Sequence, residues 1–238
     1  MVIMALSMAT SFSAVALPVA LCRIVVIGVS LGLWFWTQRL LARRAPAANA
    51  EPGAAVITDG IHRLTARNNQ RLQDSPLRAK ALLIASSLVI DVLGLYLLGA
   101  AIFGPSFQPF LGLLMLFALR QACQSLCPLP APQGMIWQDP GFPALLVTYG
   151  TSNDLFFSGH TAIAVYGAAT LASAFGPMGI ILGCMIAVFE IAAVLRLRAH
   201  YTMDVFTGAI TALYVHRLAI DFAPHVDRWI ALAARPWH

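Results

Sequence analysis

Residues 157–175 read FSGHTAIAVYGAATLASAF, a run of nineteen residues in which the reactive side chains stand at the start. About 20 apolar residues in helical form cross the hydrocarbon core of a membrane. The pair Gly176-Pro177 follows and breaks helical structure. A second apolar run occupies 177–196. This stretch therefore predicts two membrane-spanning helices joined by a very short turn, with polar groups at one end.

The rest of the chain has the same character. Its 238 residues are 59% hydrophobic and only 11% charged, with a mean hydropathy of +0.77. A soluble domain carries about 25% charged residues. We therefore predict an all-α polytopic membrane protein, a six-transmembrane-helix bundle that forms a single membrane domain over residues 1–238. The predicted spans are 13–37, 81–103, 108–127, 157–175, 177–196 and 203–222.

Residues 38–80 form a basic segment between the first two spans, predicted as a basic surface loop. Its cationic residues are Arg39, Arg43, Arg44, Arg63, Arg67, Arg71, Arg78 and Lys80. Within it, the apolar residues of 59–73 suit a short helix on the membrane surface, with arginines toward lipid head groups. A solvated basic loop is the alternative. Because no nucleic-acid motif accompanies the charge, we expect no nucleic-acid partner.

The loop 128–156 differs from the basic segment, because it is rich in proline and contains no Lys or Arg. It carries Trp137 and Tyr149, and such aromatic residues favour the interface between membrane and water. We predict that it folds back over the membrane surface, close to where a lipid substrate would arrive. A purely structural cap is the alternative.

Ser158-Gly159-His160-Thr161 stands where the span 157–175 begins. A helix start offers backbone N–H groups and the positive end of the helix dipole, both suited to an anion. Ser158 is a natural N-cap, and Gly159 would let a ligand approach the backbone. His160 would then be placed to give or take a proton. A histidine that only caps the helix is the alternative.

A second polar pair, His200 and Asp204, stands where the last span begins. Residues four apart share one face of a helix, with Cβ atoms about 5–6 Å apart. An aspartate beside one imidazole nitrogen fixes the tautomer and leaves the other nitrogen as a nucleophile or base. The pair is thus either a catalytic dyad or a structural ion pair at a helix end.

Taken together, the two motifs resemble a known family. Asp154-x3-Ser158-Gly159-His160-Thr161 and His200-Tyr201-Thr202-x-Asp204-Val205 are similar to the signatures of the sphingomyelin synthase-like branch of the type 2 phosphatidic acid phosphatase superfamily. Arg120, ahead of Leu129-Pro130, resembles that branch's arginine followed by Leu-Pro. The likeness covers about 110–220, which we call the catalytic half.

The resemblance implies a phosphohistidine mechanism. His200 would attack the phosphorus of a phospholipid, and Asp204 would orient and polarise it. His160 would protonate the departing oxygen and later deprotonate the acceptor hydroxyl, with Asp154 assisting. The mechanism implies no metal and no cofactor. The predicted substrate-binding residues are Arg120, Ser158, Gly159, Arg198 and Tyr201.

Three functions follow from these motifs. The first is a membrane phosphotransferase that moves a phosphorylated head group from a phospholipid donor to a ceramide- or diacylglycerol-type alcohol. The second is a lipid phosphatase of the same superfamily, with water as the acceptor. That branch usually has an arginine where this chain has Val194, which favours the transferase. The third is a non-catalytic lipid transporter or scaffold. The oligomeric state is not indicated.

Charged residues within the spans are Arg23, Asp91 and Glu190. Such residues usually face the bundle interior and pair with one another. Glu190 is about 15 Å from His200 along a continuous helix. We therefore predict a structural partner for Glu190, with Arg23 as the candidate, and a role in the substrate cavity as the alternative.

The side of the membrane on which the site lies is predicted differently by two arguments. In a multi-pass protein with six spans, the loops after spans one, three and five share the side of the site. The family resemblance implies an exoplasmic or periplasmic site. The eight basic residues of 38–80 imply a cytoplasmic one, since basic loops stay inside.

Overall fold

A computed structural model describes residues 15–43, 57–127, 129–141, 144, 146, 149 and 155–235. The regular structure of these residues is helical, as predicted. The helices are α1 Leu17–Ala42, α2 Gly60–Leu64, α3 Ala66–Gln73, α4 Pro76–Phe103, α5 Gln108–Leu126, α6 Gly159–Arg196 and α7 Thr202–Ala233. Among the described residues, five helices (α1, α4, α5, α6 and α7) are long and apolar enough to cross a membrane. The predicted count of six is not confirmed, because the fourth and fifth predicted spans run together as α6.

Helix α6 reverses direction at Gly176. This residue has φ 56° and ψ −134°, a left-handed conformation that glycine adopts readily. A Cβ atom on Gly183 would lie 2.7 Å from the Cα atom of Ala168. A straight helix would hold those two residues about 22 Å apart. The arms 159–175 and 177–196 therefore lie side by side, and the chain returns to the end where α6 began.

A close contact between α6 and α7 positions the start of both helices. A Cβ atom on Gly208 would lie 2.7 Å from the carbonyl oxygen of Ser158. Glycine thus lets the first turns of α7 approach the N-terminus of α6. The backbone N–H of Ser158 donates to the carbonyl of Asp204 at 3.1 Å. The two sequence motifs, forty residues apart, are joined directly by this bond.

The segment 59–73 is helical, as its pattern predicts, and it packs over this same end of the bundle. Asn69 of α3 is buried. Its side-chain amide donates to the carbonyls of Gly134 at 3.1 Å and Arg196 at 2.9 Å. The basic segment therefore binds the turn between α6 and α7, while those of its arginines that the structure describes are exposed.

The prediction that the loop 128–156 lies over the membrane surface is wrong for its described inner residues. The backbone N–H of Leu146 donates to Asp91 Oδ1 at 2.9 Å. Asp91 lies about 22 Å along α4 from its first residue, Pro76. Leu146 is buried, and only the missing side chain of Gly94 leaves it room. The loop enters the bundle because a buried carboxylate requires hydrogen-bond donors.

The opposite end of the bundle contains a second polar cluster, the Arg23–Asp227 cluster. The guanidinium of Arg23 lies 3.0 Å from Asp227 Oδ1 and donates to the carbonyl of Gly104 at 2.7 Å. Asp227 also accepts bonds from Ser106 Oγ at 2.7 Å and Phe107 N at 2.8 Å. The ends of α1, α4 and α7 are thereby joined.

The predicted pair of Glu190 and Arg23 is wrong. Glu190 is fully buried, and its Oε2 accepts from Ser86 Oγ at 2.7 Å. It lies about 9 Å before the end of α6 at Arg196, toward the end of the bundle where α7 begins. Arg23 lies at the other end of the bundle. Depth along the helices, which depends on the reversal of α6, decides the pairing.

Candidate active site

A cavity opens at the end of the bundle where α6 and α7 begin. Its volume is about 40 Å³. Its walls come from α1, α4, α5, α6, the α5–α6 loop and the α6–α7 turn. The described lining residues are Trp34, Ile90, Phe117, Arg120, Met135, Trp137, Leu146, Leu155, Gly159, His160, Ile163, Ala199 and His200.

The protonation of the His200 ring follows from its neighbours. His200 Nδ1 lies 2.8 Å from the carbonyl oxygen of Leu155. A carbonyl oxygen only accepts hydrogen bonds, so Nδ1 carries the proton in the neutral ring. This assigns the lone pair to Nε2, the other nitrogen of a ring that lines the cavity. The imidazole is thus prepared to act as a nucleophile or a base.

Asp204 lies near the ring but does not hydrogen-bond to it. Its Oδ2 is 3.7 Å from His200 Nδ1 and accepts the backbone N–H of Tyr201 at 2.9 Å. Asp204 thereby caps α7 and fixes the turn that carries His200. At 3.7 Å its charge still stabilises a protonated imidazole, because both side chains are buried. The orienting bond comes from Leu155.

His160 follows directly after the first residue of α6. It is 8% exposed, and its ring lies edge-on to Trp137 with the centroids 5.1 Å apart. Within the described part of the chain, His160 Nε2 is buried and has no hydrogen-bond partner. A buried imidazole nitrogen without a partner is costly in a folded protein. It is suited to exchange a proton with a ligand in the cavity.

Arg120 and the start of α6 form the cationic side of the cavity. Arg120 Nε donates to the carbonyl of Phe157 at 3.0 Å. A Cβ atom on Gly159 would lie 3.0 Å from that nitrogen. Ser158 is the N-cap, as predicted, and accepts the N–H of Thr161 at 3.3 Å. Guanidinium and helix terminus together suit a phosphate.

Two residues of the basic segment, Asp59 and His62, form a clamp on the turn between α6 and α7. This turn carries His200. Asp59 accepts hydrogen bonds from Thr202 N and Thr202 Oγ1, both at 2.7 Å. It is also the N-cap of α2. His62 Nε2 lies 3.0 Å from the carbonyl oxygen of His200, and its ring stacks on Tyr201. The basic segment therefore positions the histidine that lines the cavity.

Burial and hydrogen bonding act in opposite directions on the pKa of Asp59. Partial burial acts to raise the pKa, but hydrogen bonds from Thr202 and His62 outweigh it. The pKa is lowered below its ordinary value of 3.8. Asp59 is therefore ionised at neutral pH, and so it serves as an acceptor for Thr202.

The predicted site residues separate into several positions. His160, His200, Arg120 and Gly159 line the cavity together, and Asp204 and Ser158 support it from beneath. Asp154 lies outside the described residues. In the part of the chain that the structure describes, no three His, Cys, Asp or Glu side chains are grouped to hold a metal ion.

Two predicted substrate-binding residues lie elsewhere. Tyr201 lines a separate cavity beside Asp59, and its hydroxyl donates to the carbonyl of Pro130 at 3.2 Å. Arg198 donates to the carbonyl of Gln133 at 2.6 Å and does not line the catalytic cavity. Its φ of 52° lies in the left-handed region.

Sequence reasoning did not identify several residues that complete the site. The Leu155 carbonyl and the wall residue Trp34 have no local sequence signal. Trp137 is an aromatic residue in a loop without basic residues, a pattern that predicts a position at the membrane surface. It lines the cavity instead. Asp59, followed by Gly60 and a short helix, has the pattern of an N-cap. Its bond to Thr202 depends on tertiary structure.

A polar group lies behind Trp137, deeper in the bundle. The Trp137 ring is 4.9 Å from the Tyr149 ring, and the Tyr149 hydroxyl forms a short hydrogen bond with Ser87. Burial raises the pKa of Tyr149, and the nearby carboxyl groups of Asp139, Asp91 and Glu190 raise it further against the lowering effect of Ser87.

Comparison with known proteins corrects the family predicted from the motifs. No curated protein and no solved structure matches the chain. A family model described as AtPDCT1/2, for phosphatidylcholine:diacylglycerol cholinephosphotransferases, matches residues 58–221. The assignment to the sphingomyelin synthase-like branch of the phosphatase superfamily is therefore wrong. Because the match spans well over half of the sequence, the chain belongs to the AtPDCT1/2 family.

Proposed function

We propose that this chain transfers phosphocholine from a phosphatidylcholine-type donor to a diacylglycerol acceptor, with His200 as the nucleophile. The family indicates a lipid headgroup transferase, and its description supplies the choline head group and the diacylglycerol acceptor. The observation that carries the mechanism is the bond from His200 Nδ1 to the Leu155 carbonyl. That bond leaves the Nε2 lone pair for attack.

The first half-reaction breaks the bond between phosphorus and the donor's diacylglycerol oxygen. His200 Nε2 forms a bond to phosphorus while His160 gives a proton to the departing oxygen. Arg120 and the N-terminus of α6 stabilise the charge that develops on the phosphoryl oxygens. Diacylglycerol leaves, and phosphocholine remains on the His200 ring.

The second half-reaction reverses the first with a new diacylglycerol. His160 now takes the proton of the acceptor hydroxyl, which attacks phosphorus as the bond to Nε2 breaks. Leaving group and acceptor are chemically alike, so one cavity can serve both steps. Two displacements at phosphorus replace a single difficult one. Asp204 stabilises the imidazolium character of His200 during both steps.

Exchange of labelled diacylglycerol into phosphatidylcholine, measured with purified protein in vesicles, tests this proposal. We expect His200→Ala to lower exchange by about 10³-fold or more, as for other nucleophile deletions. His225→Ala, at an exposed position of α7, is the matched control and should exchange normally. If the His200→Ala variant still catalysed exchange, His200 would not be the nucleophile.

The same vesicles separate transfer from hydrolysis. Head-group-labelled phosphatidylcholine offered without diacylglycerol should release little water-soluble label. Release that matches the rate of exchange would make water the acceptor and the protein a lipid hydrolase. Absence of all turnover, with lipid binding intact, would instead support the non-catalytic alternative.

We also infer that each arm of α6 crosses the membrane, which gives six passes. The arms 159–175 and 177–196 are about 25 and 30 Å long, close to the thickness of the hydrocarbon core. Cysteines placed at Pro177 and at Arg198 should react with an impermeant reagent from opposite sides. Labelling of both from one side would contradict the inference.

A further inference from the structure

Aromatic residues line the cavity together with its basic groups. Trp34 of α1 and Phe117 of α5 stack with centroids 4.6 Å apart and an interplanar angle of 20°. Trp137 enters from the loop and lies 5.1 Å from the ring of His160. All three aromatic residues line the same cavity as Arg120. We call Trp34, Phe117 and Trp137 the aromatic wall.

The lining is poor in groups that accept hydrogen bonds. Apart from the two histidines and Arg120, its described members are apolar, aromatic or glycine, with no carboxylate, hydroxyl or amide side chain among them. A primary ammonium has three N–H donors, and burying them without acceptors is strongly unfavourable. A quaternary ammonium has no N–H donor. It is bound well by aromatic faces, above all those of tryptophan.

We propose that the aromatic wall binds the quaternary ammonium group of the donor lipid and selects choline over ethanolamine head groups. This proposal rests on the proposed function, since it places the phosphate of the same lipid between Arg120 and the histidines. The ammonium end of the same head group then lies against the aromatic wall.

The dimensions of the head group agree with this arrangement. Only one oxygen and two carbons separate phosphorus from the ammonium nitrogen. An ammonium on Trp137 therefore stays within reach of a phosphate beside His160, because these two rings are in contact. The wall and the nucleophile can act on one head group at the same time.

The test compares donors with choline and ethanolamine head groups in vesicles that contain diacylglycerol. For Trp137→Leu and Trp34→Leu we expect kcat/KM with phosphatidylcholine to fall about ten- to thirtyfold. Turnover of phosphatidylethanolamine should stay unchanged, so the preference for choline narrows. Trp137→Phe keeps an aromatic face and should retain most of the preference.

Trp36→Leu is the matched control, because Trp36 lies two residues from Trp34 and is 58% exposed. In this variant, kcat/KM should be unchanged with either donor lipid. An equal loss for both donors in the Trp34 and Trp137 variants, or a wild-type enzyme without preference, would overturn the proposal. Loss of fold is recognised separately by size-exclusion chromatography.

A binding measurement keeps this proposal distinct from the proposed function. The His200→Ala variant, titrated with short-chain phosphatidylcholine and phosphatidylethanolamine, should bind the choline lipid about tenfold more tightly. Such a preference, together with a wild-type protein that shows no turnover, would contradict the transferase and support the wall. Equal binding, with normal turnover in the wild type, would contradict the wall alone.

Discussion

The two ends of the helical bundle each gather polar side chains, and they differ in how the charge is balanced. At the Arg23–Asp227 cluster, guanidinium and carboxylate are 3.0 Å apart, and backbone groups add further hydrogen bonds. At the catalytic cavity, Arg120, His160 and His200 share one space. No carboxylate belongs to its described lining.

This difference separates a structural cluster from a site that awaits a ligand. The Arg23–Asp227 cluster carries its own counter-ion, so it stabilises the bundle without any substrate. The cavity gathers basic groups in a medium of low dielectric constant, where an anion is bound strongly. The proposed lipid phosphate would bind among these basic groups. Removal of a side chain should therefore affect activity at one end and stability at the other.

The largest effect is expected for His160→Leu. Transfer should fall about 10²- to 10⁴-fold, since a proton donor and acceptor is lost. Thermal stability in detergent should not fall, because the substitution removes a buried nitrogen without a partner in the described structure. His216→Leu, which alters a histidine of α7 in contact with Tyr166, is the control and should leave transfer unchanged. A His160→Leu protein that unfolds would make His160 structural.

The next effect concerns the Arg23–Asp227 cluster. Asp227→Ala leaves a buried guanidinium without its counter-ion and should lower stability by about 3 kcal/mol. Transfer per folded molecule should be retained. Thermal unfolding followed by size-exclusion chromatography measures the loss.

Arg217→Ala provides the matched comparison for that measurement. Arg217 and Asp221 form an exposed pair at 3.7 Å on α7, which should contribute less than about 1 kcal/mol. If both variants lost equal stability, the cluster would have no special role at its end of the bundle.

A smaller effect is expected from the clamp at the site. Asp59→Ala removes both bonds to Thr202 and should cost about 1–2 kcal/mol, like the loss of an N-cap. It should also lower kcat about tenfold, because the turn that carries His200 shifts. Asp74→Ala, in the same segment, removes only an exposed bond to Gln70 and serves as the control.

The clamp also predicts a dependence on pH. The pKa of Asp59 is lowered in the folded protein, because hydrogen bonds from Thr202 and His62 outweigh burial. Its stabilisation is therefore complete above the unfolded pKa and is lost as the pH falls through the lower folded value. When the free energy of unfolding is measured from pH 7 to pH 3, the contribution of Asp59 should decrease only below about pH 4. Asp59→Asn should lack that change, and an identical profile would contradict the assignment.

The sequence predicted two histidines that line the cavity, but it predicted the wrong family. His160 and His200 stand out because ionisable residues at the ends of apolar runs are costly and therefore mark chemistry. The same few residues produced the wrong family, since short motifs report a reaction more than an ancestry. The family model covers 58–221, mostly residues that shape the bundle and carry no reactive group.

The sequence by itself determined that the chain is helical and membrane-embedded, and which imidazoles carry the proposed chemistry. Those properties depend on composition and on local spacing. Tertiary structure decided that α6 turns back at Gly176, that Leu155 orients His200, and that Trp137 enters the bundle. It also paired Arg23 with Asp227. These features depend on contacts between residues that are distant in the chain. Such contacts form only between residues at the same depth in the bundle, and no local sequence pattern encodes that depth.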